Sequence, residues 1–134
     1  MVARQNSNTF AGSASVSPSG CLVTATVVEI SPFLEKEDTA SPCSKTQCNA
    51  IIRIDQIIER GSSLTIPLNQ GMKVSAYFVF TLSPTSELLF PGMKKHFPGL
   101  KINDKFKAIL QERGQLNSDS VHVVVYEYIK MQYD

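Results

Sequence analysis

The stretch MKVSAYFVFTL, residues 72–82, decides the fold class. Met72, Val74, Ala76, Phe78, Phe80 and Leu82 alternate with Lys73, Ser75, Tyr77, Val79 and Thr81. That two-residue period is the signature of a strand with one buried and one wetter face. Upstream, NAIIRIDQIIERG (49–61) carries five isoleucines between positions 51 and 58. A helical template aligns Ile51, Ile54 and Ile58, but β-branched side chains lose little in a strand and more in a helix, so the run reads as a strand. On that strand Ala50, Ile52, Ile54 and Ile58 share the inner face, and Ile51, Arg53, Asp55, Ile57 and Glu59 the outer one. CLVTATVVEI (21–30) is a further strand, closed by Ser31-Pro32.

Downstream, Ser83 is placed to cap a short helix with Pro84 at its first position, and Pro91-Gly92 stops it after about two turns. MKKHF (93–97) adds at most one more turn before Pro98-Gly99. DKFKAILQER (104–113) sets Phe106, Ala108 and Leu110 on one face of a fourth strand. RGQLNSDS is a polar turn. SVHVVVYEYIKMQ (120–132) is the fifth strand, read with Val121, Val123, Val125 and Ile129 inward and His122, Val124, Tyr126 and Tyr128 outward.

The chain is thus mainly β: five strands, a long first loop, and a short helix between strands 3 and 4. An α+β sheet with a packed helix is the alternative. The runs CLVTATVVEI, AIIRIDQII, KVSAYFVF, FKAILQER and VHVVVYEY, with SPTSELLFPG ahead of the fourth, give a plan that resembles the OB-fold, a five-stranded Greek-key barrel. The resemblance covers residues 21–132 and is one of plan, not motif. A cysteine ahead of the first strand, as Cys21 is here, is similar to the netrin/tissue-inhibitor subgroup, whose members carry more cysteines than these three. The resemblance implies a ligand face on strands 2 and 3: Ile51, Arg53, Asp55, Ile57, Lys73, Ser75, Tyr77 and Val79, bordered by the loop 31–48.

At 134 residues, 43% hydrophobic, the chain is one domain with enough apolar surface for a single core. Residues 1–20 are rich in Ser, Asn, Gly and Ala and read as a flexible tail, leaving 21–134 as the barrel domain. No signal-peptide apolar run and no transmembrane stretch stands out, so a soluble protein is expected. The net charge of +1 balances 13 basic against 12 acidic residues. It conceals an acidic group, Glu35, Glu37 and Asp38, and a basic one, Lys94, Lys95, Lys101, Lys105 and Lys107.

Chemistry-bearing motifs are missing from the sequence. No GxSxG frames a serine, no Gly-rich loop opens a helix, and the acidic group lacks the central glycine of an EF-hand. His96 and His122 lie in unlike settings and read as solvated or edge histidines. An enzyme is not expected, and neither is a cofactor.

Cys43 and Cys48 sit five positions apart in SPCSKTQC. Three readings stay open: free thiols in a reducing cytosol, a local disulfide in an extracytoplasmic compartment with Cys21 as the odd thiol, or part of a metal site. If strands 1 and 2 form a long hairpin, Cys21 lies roughly 30 Å from the other two, at about 3.3 Å per residue. On that geometry no metal site joins all three.

The function expected is a non-catalytic binding module for a protein or peptide, using strands 2 and 3 and the loop 31–48. Single-stranded nucleic acid is the alternative partner, with Tyr77 and Tyr126 or Tyr128 as stacking platforms and basic residues along the groove. Arg53, Lys73, Tyr77, Tyr126, Lys105 and Lys107 are the candidate ligand-binding residues.

Overall fold

The computed structural model describes residues 17–65, 67–112 and 121–131. Five strands run β1 Gly20–Ile30, β2 Asn49–Arg60, β3 Lys73–Phe78, β4 Lys105–Glu112 and β5 His122–Met131. They close into a barrel in the order β1-β2-β3-β5-β4. The order is that of an OB-like barrel. Every described pairing is antiparallel except β3 with β5.

The interior is filled from the alternating faces read in the sequence. Val23, Ala25 and Val27 of β1, Ala50, Ile52 and Ile54 of β2, and Val74, Ala76 and Phe78 of β3 are buried. So are Phe106, Ala108 and Leu110 of β4 and Val123 and Val125 of β5. Three strands depart from strict alternation, each at a β-bulge. On β1, Val27 pairs with Ile52 and Glu29 with Ile51, so Val28 is the extra residue and Glu29 turns outward. On β2 the register passes from Ala25↔Ile54 to Thr24↔Gln56 and from Val23↔Ile57 to Leu22↔Glu59, leaving Asp55 and Ile58 as extra residues. An extra residue reverses the facing of everything beyond it. Ile57 therefore packs against the core, whereas Ile58, expected inside, is exposed. On β5, Leu110 pairs with Val125 but Ala108 with Tyr128, which sets one extra residue at Tyr126–Glu127. Tyr128, expected outside, is buried, and Ile129, expected inside, is exposed.

The helix expected between strands 3 and 4 is not formed. Residues 83–91 contain one isolated turn, closed by the Phe90 N–H donating to the Ser86 carbonyl at 2.8 Å. Pro84, Pro91 and Pro98 each remove a donor, and Gly92 and Gly99 take positive φ of 76° and 84°. No window between them is long enough to repay helix nucleation. The segment still plugs the barrel end. Leu82, Phe97 and Leu100 are buried. Phe80 stacks on Phe97 with centroids 5.2 Å apart, and Phe97 lies 5.2 Å from the Tyr128 ring.

Ser17–Gly20, counted with the tail in the sequence reading, carry contacts to the barrel. The Ser63 N–H donates to the Pro18 carbonyl, and Ser17 and Ser19 Oγ donate to Gln111 Oε1. The rest of that tail, residues 1–16, and the turn RGQLNSDS lie outside the described residues. No helix among the described residues is long and apolar enough to cross a membrane.

Gly99 is where the plug meets the barrel most closely. Its N–H donates to Tyr128 Oη at 2.8 Å, and a Cβ there would stand 2.7 Å from the Pro84 nitrogen and 2.9 Å from the Leu82 carbonyl oxygen. We expect Gly99→Ala to cost about 2–4 kcal/mol, from positive φ plus backbone overlap. Tyr128→Phe, which leaves the Gly99 N–H unpaired, should cost about 1–3 kcal/mol. Urea unfolding followed by near-ultraviolet circular dichroism reads both.

Candidate functional site

The register of β1, β2, β3 and β5 builds a surface groove row by row. Glu29 of β1 pairs with Ile51 of β2, Ile51 with Ser75 of β3, and Ser75 with His122 of β5. These four point away from the core. Ser75 is the smallest of them, flanked along β3 by Lys73 and Tyr77, so the row dips at its position. The depression holds about 430 Å³ and continues over Ile30, Ser31 and Pro32 at the start of the first loop.

The loop 31–48 walls one side. The Glu35 N–H donates to the Cys43 carbonyl, and Ser41 caps a single 3-10 turn, Pro42–Ser44, through its Oγ. Lys45 Nζ reaches the Thr39 carbonyl at 3.0 Å. Cys43 and Cys48 are joined as a disulfide, both buried. Cys43 Sγ lies 3.2 Å from Tyr77 Oη, and the Phe78 and Leu82 N–H groups donate to the Cys48 and Gln47 carbonyls. The loop is therefore tied at its far end to β3 and to the plug. Its acidic residues Glu35, Glu37 and Asp38, with Lys36, line an open hollow of about 660 Å³.

On the other side lies a polar row. Lys73 pairs with Arg53, Arg53 with Thr26, and Thr26 with Lys105. The Asp55 bulge inserts a carboxylate among them. Arg53 Nε donates to Asp55 Oδ1 at 3.0 Å, Thr26 Oγ1 to Asp55 Oδ2 at 2.5 Å, and Lys105 Nζ stands 3.5 Å from Oδ2 and 3.1 Å from Thr26 Oγ1. Burial pushes the Asp55 carboxyl up. The hydrogen bonds from Thr26 and Arg53 and the charge of Lys105 outweigh it and hold the group below its usual range.

Of the residues singled out from sequence, Arg53, Lys73 and Lys105 come together in this row, and Tyr77 borders the groove. Lys107 lies two positions further along β4, paired with Thr24 and Ile129. Tyr126 is 52% exposed on the β5 bulge, two residues past Val124, the partner of Tyr77. That register sets Tyr77 and Tyr126 diagonally across neighbouring strands, whereas Tyr128 is buried. Pro32 comes from the expected loop, whereas Glu29, Ile30 and His122 enter the groove without having been anticipated, because only the pairing register places them beside Ser75. The same holds for Thr26, which is 5% exposed and anchors Asp55.

Cys21 is a separate matter. It is buried at the opposite end of the hairpin, paired with Arg60 and Leu110, and burial raises its thiol above the usual value despite Arg60. Among the described residues no group of three or more His, Cys, Asp or Glu side chains is gathered closely enough to hold a metal ion. Comparison with known proteins finds no matching family model, no matching curated protein and no matching solved structure.

The lowered Asp55 carboxyl fixes a sign for acid sensitivity. A carboxylate held below its unfolded value near 4 stabilises the fold above that pH, and the contribution is lost as pH falls through the folded value. Glu112, lowered by the Thr65 N–H and hydroxyl, acts in the same direction. We expect the urea midpoint of the wild type to drop between pH 5 and pH 3. Asp55→Asn should be less stable at pH 6 and show a shallower drop.

Proposed function

We propose that this chain is a non-catalytic binding module that takes a protein segment or peptide in the groove over β2 and β3, beside the loop 31–48. The observation that carries the reading is the Ser75 depression. A small side chain sits at the centre of an outer face, among Ile51, Ile30 and Pro32, with polar groups at its rim. Apolar floors with a few polar edges suit extended peptides, whose side chains need a shaped recess and whose backbone needs polar neighbours. A loop tied down by backbone hydrogen bonds offers a preorganised wall, which lowers the entropy cost of binding.

The nucleic-acid alternative draws support from Arg53, Lys73 and Lys105 on one row. Against it, Asp55 sits among the cations of that row, the loop beside the groove is acidic, and Tyr128, one of the platforms expected from sequence, is buried. Bases need successive aromatic platforms and a continuous cationic path.

Panning a phage library of random decapeptides against the immobilised full chain tests the reading. Enriched peptides are expected to bind in the micromolar range and to lose at least tenfold in affinity to Ser75→Trp, which fills the recess from an outward position. A labelled oligothymidine should bind more weakly than millimolar at 150 mM salt. Tight oligonucleotide binding with a steep salt slope, and no enriched peptide, would overturn the proposal.

The Cys43–Cys48 bridge supports an extracytoplasmic, oxidising location. Protein isolated without reductant from its source should then show one reactive thiol on denaturation, that of Cys21, and three after reduction. Three thiols without reductant would place it in a reducing compartment.

A further inference from the structure

The groove has unlike charges on two of its borders, and these select a class of peptide. At one end Glu29 is the carboxylate that lines the depression itself, while Glu35, Glu37 and Asp38 of the following loop line a separate hollow. Along the opposite border the row Lys73, Arg53, Lys105 sets three cations against one carboxylate, Asp55. Asp55 engages Arg53 through Nε and Lys105 through Nζ, so it neutralises part of that row. Lys73, fully on the outer face and exposed, is directly across from Arg53 at the groove edge.

The spacing of these charges is set by the sheet. Glu29 lies two strands from Ser75, and Lys73 lies two residues along β3 from it. With about 4.8 Å between strands and 3.3 Å per residue, the separation between Glu29 and Lys73 is about 12 Å. An extended peptide covers that distance in three to four residues at about 3.3 Å each.

We propose that the occupant of the groove is an extended peptide with an apolar side chain seated at Ser75 and Ile51. A basic residue lies at the Glu29 end, and an acidic residue three to four positions away meets Lys73 and Arg53. The order of charges fixes the direction in which the peptide lies. Like charges in either place would meet like charges on the protein, which disfavours the reversed orientation more than the correct one gains. The inference rests on the peptide reading above and names the chemistry of its ligand.

The same decapeptide selection tests it, repeated on folded charge variants. Winners from the wild type should carry Lys or Arg and Asp or Glu three to four positions apart around an apolar residue. A synthetic, fluorescein-labelled winner should lose about tenfold in affinity when either of its charges is neutralised. It should lose about as much on Glu29→Lys, and on Lys73→Glu. Selection on Glu29→Lys should exchange the basic residue for an acidic one while the other end is kept, and selection on Lys73→Glu the converse. The milder Glu29→Gln and Lys73→Gln should weaken the matching contact alone, which covers a reversal that disturbs the fold.

Winners that bind the groove, are blocked by Ser75→Trp, and show no charge pattern would overturn this inference while leaving the peptide reading in place. No enrichment at all would overturn the peptide reading itself.

Discussion

The barrel closes through four residue pairs. Ser75–Phe78 of β3 lie beside His122–Val125 of β5, the one parallel pairing among the described strands. Parallel neighbours cannot be joined by a tight hairpin, because the chain must travel back to the starting end before pairing again. The long excursion from β3 to β5 is the result, and it does two things. It delivers β4 to its place between β1 and β5, and it lays Leu82, Phe97 and Leu100 across one end of the barrel. The pairing also puts His122 beside Ser75, which makes the fourth edge of the groove. Core, plug and candidate site all follow from that short contact.

The plug shows how a fold tolerates losing a regular element. OB-like barrels are expected to seal this end with a helix, and the sequence offers a cap and a first-turn proline for one. Three prolines and two glycines at positive φ instead divide the segment. Sealing depends on apolar volume, not on hydrogen-bond pattern. Aromatic rings packed with centroids 5–6 Å apart supply that volume, provided the freed backbone groups find partners. Here they do: the Thr85 N–H with the Phe97 carbonyl, the Phe97 N–H with Thr85 Oγ1, and the Gly99 N–H with Tyr128 Oη.

Much of the architecture is legible in the sequence. Strand positions, the inward residues of β3 and β4, and the barrel plan follow from period-two patterning and β-branching. The errors cluster at bulges. Alternation puts Ile57, Ile58, Tyr128 and Ile129 on the wrong face, because it carries no mark of an inserted residue. Asp55 and Tyr126–Glu127 look like ordinary members of their runs. The candidate site was legible by half. Arg53, Lys73 and Tyr77 were found from their places on strands 2 and 3, yet Glu29, His122 and Thr26 were not, since their relevance lies in who stands across the ladder.

The sequence by itself determined that the chain makes strands, which side chains several of those strands turn inward, and that the charges divide into an acidic loop near 35–38 and a basic stretch from 94 to 107. Those properties are local, set by side-chain period and branching within a few residues. Only the tertiary structure decided where the charges stand relative to one another. Residues 29, 51, 75 and 122 become neighbours through three separate registers, and each is the outcome of packing a closed interior. A one-residue slip in any of them would move the row, and a single chain read end to end contains no record of that choice.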